Sequence, residues 1–296
     1  MTAAGVLVPN ASDASPEPPI RRRLALGPIG WVLPPLIVVA LIAVYPLVRV
    51  LTSSVQGTGQ STWGAVLSSE IFRTSLVTTA QIAVTATLGC LILGTFIAVV
   101  LAFVPFPGSG IVARMIDTIL ALPSFLITLA FTFLYGTAGA VNALIAEVTG
   151  TRPLNFLATP WGVIAAEITF FTPFVVRPLL AAFAMLSVDQ LNVAASLGAS
   201  PWRVLRSVIM PEAWPALMAG GSLVLLLTLN EFGIVLFTGA KDVTTLPVLI
   251  YTRGIVTFDL PGAAVIATVQ VALSLALYGA YRLIFAKVVG NRKGEQ

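Results

Sequence analysis

Charged residues are scarce in this sequence. Of its 296 residues only 9% are Asp, Glu, Lys or Arg, whereas 57% are hydrophobic. A soluble globular domain carries about 25% charged residues, so this chain has too few of them to cover a surface that faces water. The sequence therefore predicts an integral membrane protein. The net charge of +4 is small and the basic residues are spread along the chain, so no nucleic-acid partner is expected.

Histidine is absent, and cysteine occurs once, as Cys90 in an apolar run. These absences exclude Ser-His-Asp catalysis, histidine-ligated zinc, histidine proton relays, a disulfide framework and a thiolate metal site. A membrane-embedded enzyme would instead need a feature such as paired carboxylates, and Glu167 and Glu231 lie on different predicted spans. We therefore expect a chain that is not an enzyme and that holds no metal.

Six apolar segments are long enough to cross about 30 Å of hydrocarbon. They lie at residues 29–51, 74–103, 113–135, 160–185, 213–238 and 262–286. Each segment is bounded by polar residues or by Gly and Pro. The predicted fold class is an all-α membrane protein whose six transmembrane helices occupy residues 29–288.

The two ends of the chain differ in composition from these spans. Residues 1–28 are rich in Pro, Ser and Ala and include Arg21–Arg23, which is typical of a disordered cytoplasmic tail that ends in a positive anchor. A signal peptide is the alternative, although the apolar run is long for one and no clear A-x-A site follows it. Residues 289–296 are predicted to be a second cytoplasmic tail.

The distribution of Lys and Arg predicts the orientation, because cytoplasmic loops carry an excess of these residues. With the N-terminus inside, eleven of the sixteen lie on or near the cytoplasmic side: Arg21, Arg22, Arg23, Arg114, Arg177, Arg203, Arg206, Arg282, Lys287, Arg292 and Lys293. The other five lie outside: Arg49, Arg73, Arg152, Lys241 and Arg253. Both termini are therefore predicted to be cytoplasmic, as is the segment between spans four and five.

That segment, Ser187–Pro211, contains the signals of two short helices. A capping box at Ser187–Gln190 starts the first helix, and Gly198 ends it, because glycine is favoured just after a helix C-terminus. Ser200 suits the N-cap of the second helix and Pro201 its first position. The second helix is predicted to end before the proline that closes the segment.

Small residues line the predicted bend, with an aromatic residue and two arginines beside it. They are Ala194, Ala195, Ser196, Gly198 and Ala199, followed by Trp202, Arg203 and Arg206. Small side chains let the backbone of another protein come close, and Trp and Arg are enriched at interfaces. The segment is thus predicted either to dock a cytoplasmic protein or to lie as an amphipathic pair on the lipid headgroups.

The same segment resembles the E-A-A-x3-G-x9-I-x-L-P signature of ABC-importer permeases. Ala194, Gly198 and Pro211 match it outright, whereas Asn192 stands where the family has Glu. The other departures are Val193, Val208 and Met210. In that family the segment is the coupling helix, which seats in a cleft of the cytoplasmic ATPase. Asp189 is the acidic residue near the departure at Asn192.

Further segments are similar to the permeases of 2-aminoethylphosphonate importers. They are "FVPFPGSG", "DTILALPSFLITLAFTFLYGTAG", "AEITFFTPFVVRPLLAAF", "PALMAGGSLVLLLTLNEFGIVLFTGAK" and "TTLPVLIYT". The resemblance implies the type I importer permease (MetI-like) fold in the cytoplasmic membrane of a prokaryote. It also implies an ATPase dimer, an extracytoplasmic substrate-binding protein and a second permease subunit, which is either a copy of this chain or a different one. Permeases for ferric iron, thiamine, polyamines or sulfate are the alternatives.

The resemblance implies roles for individual residues. Those expected to contact the ATPase are Asp189, Asn192, Ala194, Ala195, Gly198, Ala199, Ser200, Trp202, Arg203, Arg206 and Pro211. This chain lacks the G-x4-G-K-[ST] phosphate loop, so it is expected to hold no cofactor, with ATP and Mg²⁺ bound by the partner.

The candidates for the substrate pathway are Glu167, Asn230 and Glu231, since ionisable residues within a membrane are functional candidates by default. A buried carboxylate could meet the ammonium group of 2-aminoethylphosphonate. The alternative is that both glutamates hold neighbouring helices together.

Several local predictions remain. Asp117 is predicted to pair with Arg114 one turn away, and Arg177 to be an anchor that extends toward the headgroups. The outer loops at 136–160 and 240–261 have no assigned role. Residues 244–254 are predicted either to dip back toward the pathway or to form a cap that touches the binding protein. A secondary transporter or channel is a further alternative, although no inverted repeat relates the two halves.

Overall fold

The computed structural model describes residues 28–152, 155–240 and 243–293, and this part of the chain contains no β-strand. The predicted tail at 1–28 lies outside the described residues except for Pro28, where the first helix begins. At the other end, the last helix continues to Lys293, within the predicted tail at 289–296. The rest of that tail and residues 153–154 and 241–242 of the two outer loops also lie outside the described part.

Fourteen α-helices make up most of the described chain. They are α1 (Pro28–Ser54), α2 (Trp63–Ser68), α3 (Glu70–Phe103), α4 (Ser109–Leu120), α5 (Ser124–Tyr135), α6 (Ala140–Thr149), α7 (Pro160–Phe171), α8 (Pro173–Ala184), α9 (Val188–Ser196), α10 (Pro201–Val204), α11 (Met210–Leu229), α12 (Gly233–Thr238), α13 (Leu246–Tyr251) and α14 (Leu260–Lys293). Two π-helical turns, Leu205–Ile209 and Thr252–Val256, and two 3₁₀ turns, Gly59–Ser61 and Phe156–Ala158, lie between them.

Among the residues that the structure describes, six helical stretches are long and apolar enough to cross a membrane, which confirms the predicted number. They run over Trp31–Ser54, Glu70–Phe103, Ser124–Thr149, Pro160–Ala184, Pro201–Leu229 and Leu260–Lys287. The boundaries agree well for spans one, two, four and six. The third and fifth predicted spans differ, because each is interrupted in the structure.

The third predicted span, 113–135, is interrupted between α4 and α5. Pro123 has no N–H to donate, and its ring crowds the preceding turn, so the helix ends before it. The amides of Ala121 and Leu122 instead donate to carbonyls three residues back, which tightens the last turn of α4.

The fifth predicted span, 213–238, is interrupted at residues 230–232. The Glu231 carboxylate accepts a hydrogen bond from the Ile234 amide at 2.8 Å and so caps α12. The carbonyl of Leu229, freed at the end of α11, accepts a hydrogen bond from the Gln270 side chain at 2.6 Å. A side chain on another span therefore satisfies backbone that would otherwise be unpaired within the membrane.

Contacts divide the chain into two units at Val48–Arg49. The described part of the first unit is a single apolar helix. Its side chains are exposed on every face, with Trp31 80% and Ile42 70% exposed. An apolar helix of this kind suits a lipid environment.

The second unit is built around α3, α8 and α11, which approach one another closely at glycines. A Cβ at Gly94 of α3 would lie 2.8 Å from the Cβ of Val175 on α8. A Cβ at Gly220 of α11 would lie 3.1 Å from the carbonyl oxygen of Phe174. Small residues are how helices approach in lipid, where no hydrophobic force drives them together.

A cap of short helices covers the end of the bundle where α3 and α14 begin. α2 and α13 pack there over a buried apolar cluster, formed by Val66, Phe72, Leu246, Leu249, Val265 and Ile266. The Leu246 amide donates to the Thr79 hydroxyl of α3 at 2.8 Å, which fixes the start of α13. Residues 244–254 therefore pack over this end of the bundle, and their contact with a binding protein stays a prediction.

Asp259 joins the pieces of this cap. Its carboxylate accepts hydrogen bonds from Ser61 at 2.7 Å, from the Gly262 amide at 2.9 Å and from Arg253 at 3.2 Å. Partial burial alone would raise the pKa of Asp259, but these hydrogen bonds and the Arg253 charge outweigh it and lower the pKa below its usual value. The carboxylate is therefore held in its charged form.

Candidate functional site

The segment between spans four and five forms a sharp bend at Gly198, as predicted. The Gly198 amide donates to the Ala195 carbonyl at 2.9 Å and the Ala199 amide to the Ala194 carbonyl at 3.1 Å. These two bonds are the Schellman arrangement that ends many helices. Gly198 has a φ of +76°, which an L residue with a side chain adopts only at a cost. We call α9, the bend and α10 the Gly198 corner.

The start of α10 is also as predicted. The Ser200 hydroxyl accepts a hydrogen bond from the Arg203 amide at 3.4 Å, and Pro201 is the first helical residue. The predicted capping box is wrong, since the Ser187 side chain makes no capping hydrogen bond although α9 begins directly after it.

The predicted end of the second helix before Pro211 is also wrong. α10 passes through the π-helical turn Leu205–Ile209 into α11, and Pro211 lies in the first turn of α11. Pro211 has no N–H to lose there, and the widened turn before it relieves the crowding that its ring would cause in a regular helix. The Gly198 corner is therefore continuous with span five.

The predicted docking residues all lie at the surface. Asp189, Asn192, Ala195, Gly198, Ser200, Trp202, Arg203, Arg206 and Pro211 are exposed, and Ala194 and Ala199 are partly exposed. Trp202 is 70% exposed, and Leu197, which was not among the predicted residues, is 81% exposed. Large apolar side chains grouped on a surface are typical of an interaction site.

A groove of about 550 Å³ runs between α9 and the start of α11. Ala194 and Leu197 form part of its apolar lining, and Asp189 and Glu212 place carboxylates in it. The sequence prediction missed Glu212, although it directly follows the last residue of the family signature. The two carboxylates supply acidic character at a corner where Asn192 replaces the glutamate of the family.

Glu231 lies where the interruptions of spans three and five meet. Its Oε1 accepts hydrogen bonds from the Ser124 hydroxyl at 3.1 Å and from the Ile234 amide at 2.8 Å. Asn230 beside it is exposed and donates from Nδ2 to the Leu226 carbonyl at 2.8 Å. The sequence prediction missed Ser124, whose only local signal is its position after Pro123.

Glu167 differs from Glu231 in its surroundings. It is fully buried on α7, and neither carboxyl oxygen has a hydrogen-bond partner. Of the three pathway candidates, only Asn230 and Glu231 are accessible in this conformation, and Glu167 lies in the packed interior.

The predicted pairing of Asp117 with Arg114 is wrong. Asp117 forms an ion pair with Arg177, which joins α4 to α8, and Arg114 donates to the Gly110 carbonyl of its own helix at 3.1 Å. Arg177 is therefore an interhelical partner, and its predicted role as an anchor toward the headgroups stays a prediction. Both side chains of the pair are 43% exposed, so its contribution to stability is expected to be small.

Residues 90–290 match the sequence profile of the family described as binding-protein-dependent transport system inner membrane component, and the chain belongs to this family. It is the permease of an ABC importer, a multi-pass membrane protein and a non-catalytic component.

Two curated relatives illustrate the similarity. The provisionally named 2-aminoethylphosphonate transport system permease protein PhnU of Salmonella typhimurium strain LT2 is 48% identical over 269 residues, which cover 89% of this chain and 94% of the relative. The sulfate transport system permease protein CysT of Escherichia coli strain K12 is 29% identical over 247 residues, which cover 82% of this chain and 86% of the relative.

Solved structures show the same fold. A chain of a bacterial alginate ABC transporter, crystallised in complex with an alginate pentasaccharide-bound periplasmic protein, matches with a TM-score of 0.76 at 19% identity, covering 88% of this chain and 94% of that one. A chain of the MetNI methionine ABC transporter in an inward-facing conformation matches with a TM-score of 0.51 at 18% identity, covering 72% and 92%. The predicted permease fold is therefore confirmed.

Proposed function

We propose that this chain carries 2-aminoethylphosphonate across the cytoplasmic membrane. An extracytoplasmic binding protein delivers the solute, and ATP hydrolysis drives the transport. The ATPase dimer that hydrolyses the ATP is docked at the Gly198 corner. The observation that carries the proposal is the continuity of that corner with span five through the turn Leu205–Ile209. A partner that moves the corner must also move α11, which ends at Leu229, directly before Asn230 and Glu231. ATP and Mg²⁺ would be bound by the ATPase, and this chain would work with a second permease subunit.

The transport cycle depends on a difference in the affinity of the assembly for ATP between two of its conformational states. ATP can drive transport only if it binds two states of the assembly with different affinity, and the difference must reach the membrane through a stiff connection. The Gly198 corner supplies one, because its bend is held by two backbone hydrogen bonds and the chain is helical from Pro201 to Leu229.

The choice of substrate rests on similarity and on chemistry. The 48% identity to the relative named for 2-aminoethylphosphonate extends over 89% of the chain. Glu231 adds a carboxylate suited to an ammonium group, at a place where two spans are interrupted. Substrate sites of other transporters are also built at interrupted helices.

Reconstitution tests the substrate. Proteoliposomes that contain the permease, its ATPase and its binding protein are expected to accumulate 2-aminoethylphosphonate only when ATP is supplied to the ATPase. Ferric iron, thiamine, spermidine and sulfate, each in excess, are expected to leave that uptake unchanged. Uptake of one of these four in place of 2-aminoethylphosphonate would assign the chain to the corresponding alternative.

Cysteine labelling tests the orientation that the proposal needs. The native Cys90 is fully buried, so an added surface cysteine is expected to dominate the reaction with a membrane-impermeant maleimide. Trp202→Cys is expected to react only after the cells are permeabilised, because the corner must face the ATPase. Thr151→Cys, at an exposed site just after α6, is expected to react in intact cells whose outer membrane has been made permeable. The reverse pattern would overturn the proposed topology.

A further inference from the structure

A groove of about 380 Å³ lies between α11 and α14, apart from the Glu231 site and from the Gly198 corner. Its polar lining consists of Ser222, Tyr278, Tyr281 and Arg282, and its apolar lining includes Pro215 and Met218. α11 and α14 run antiparallel here, since Tyr281 contacts the Leu217 carbonyl while Gln270 bonds to Leu229. The groove is therefore toward the end of span five at which the Gly198 corner lies.

Arg282 is the charged residue of this groove. Its Nη1 donates to the Tyr278 hydroxyl at 3.4 Å, and its guanidinium lies 5.9 Å from the centre of the Tyr278 ring. Within the described part of the chain, ion pairs involve Arg177 and Arg253 but not Arg282. A guanidinium has five N–H donors, so Arg282 has donors to spare for an anion.

The groove shares one face of α11 with the Glu231 site. Pro215, Ala219, Ser222, Leu226 and Asn230 follow one another at helical spacing on this face, and none of them is buried. Asn230 lies eight positions after Ser222, which is about 12 Å along a helix. One accessible face therefore carries the cationic groove at one end and reaches Asn230, the neighbour of Glu231, at the other.

The two sites have opposite chemistry. A phosphonate has three acceptor oxygens and is bound best by guanidinium and hydroxyl donors. The groove offers both, from Arg282 and Tyr278, and no carboxylate lines it. The Ser222 hydroxyl adds polarity but donates to the Ala219 carbonyl at 3.0 Å. The Glu231 site offers a carboxylate, which suits an ammonium group.

We propose that the groove between α11 and α14 binds the phosphonate group of the solute at a second site on its way to the cytoplasm. This inference rests on the proposed function and adds an anion site to it. A two-carbon chain is too short to bridge the two sites, so the solute occupies them one after the other. The phosphate of an anionic phospholipid could bind the same donors. The experiment below is therefore designed to distinguish the phosphonate of the solute from the phosphate of a lipid headgroup.

The test measures ATP-dependent 2-aminoethylphosphonate uptake by the assembled transporter in proteoliposomes. Arg282→Gln is expected to lower the maximal rate by about tenfold to hundredfold, the range for one lost charge-assisted hydrogen bond. ATP hydrolysis stimulated by the loaded binding protein is expected to persist, because the second site acts after delivery. Arg282→Lys is expected to recover part of the uptake, since it restores the charge without the planar donors. Arg114→Gln removes an exposed arginine of another helix and is expected to change nothing.

Each assay is run in phosphatidylcholine vesicles and in vesicles with added phosphatidylglycerol. An equal deficit of Arg282→Gln in both supports a site for the solute, whereas a deficit confined to phosphatidylglycerol vesicles would show that a lipid headgroup is the ligand and overturn the inference. Tyr278→Phe, which keeps the ring under the guanidinium, replaces Arg282→Gln if that variant does not fold. Normal uptake by a folded Arg282→Gln variant, or by Tyr278→Phe in its place, overturns the anion site alone. If the wild type itself does not take up 2-aminoethylphosphonate, both the anion site and the proposed function are overturned.

Discussion

Gly198→Trp is expected to release the permease from its ATPase. A Cβ at Gly198 would meet no other atom within 4 Å, so the isolated chain has room for the larger side chain. A docked ATPase would not have that room, because small residues surround the bend. Overpacking a close contact costs about 1–3 kcal/mol, and that corresponds to about a fivefold to 150-fold loss of affinity. Co-purification of the permease and the ATPase in detergent measures this loss of affinity.

Two control variants separate side-chain bulk from backbone strain. Gly150 has a φ of +68° and also has no atom within 4 Å of a built Cβ, but it follows α6. Gly150→Trp therefore introduces the same strain elsewhere and is expected to leave co-purification intact. Gly198→Asn tolerates the left-handed conformation and is expected to weaken docking less than Trp does. Retention of the ATPase by a folded Gly198→Trp variant would show that the corner instead lies on the lipid headgroups.

Glu231→Gln is expected to lower uptake of 2-aminoethylphosphonate at limiting concentration by about tenfold to hundredfold, the range for a lost charge-assisted hydrogen bond. The substitution is nearly isosteric. A glutamine Oε1 can still accept from Ser124 and Ile234, as the glutamate does, so the break in span five is preserved while the negative charge is removed. Uptake kinetics measure the effect.

Glu147→Gln is the matched control, because Glu147 is an exposed glutamate on α6. It is expected to transport as the wild type does. If Glu231→Gln also transports normally at limiting substrate, Glu231 has only a structural role, as the alternative in the sequence analysis holds. A loss of thermal stability together with a loss of uptake would point to the same conclusion.

Sequence reasoning succeeded where the determining interactions are local. The number of spans follows from the length of apolar runs, which a bilayer requires whatever the packing. The bend at Gly198 and the cap at Ser200 follow from which residues tolerate a left-handed backbone and which can accept from an unpaired amide. These features need only a few neighbouring residues, so they are visible in the order of the amino acids.

Sequence reasoning was less successful where a residue can adopt more than one local structure or choose among several partners. Pro211 was expected to end a helix, but a π-helical turn accommodates it and joins the corner to span five. Asp117 was paired with the nearby Arg114, yet its partner is Arg177 on another helix. In both cases the local rule was sound, and packing provided a different solution.

The sequence by itself determined that this chain is an apolar, six-span permease with a glycine-dependent bend between spans four and five. Only the tertiary structure decided that Glu231 meets Ser124, 107 positions away, that Glu167 is enclosed, and that Arg282 shares a groove with Ser222. The physical reason is that these contacts join residues far apart in the chain, and their partners are set by how the helices pack rather than by any local pattern.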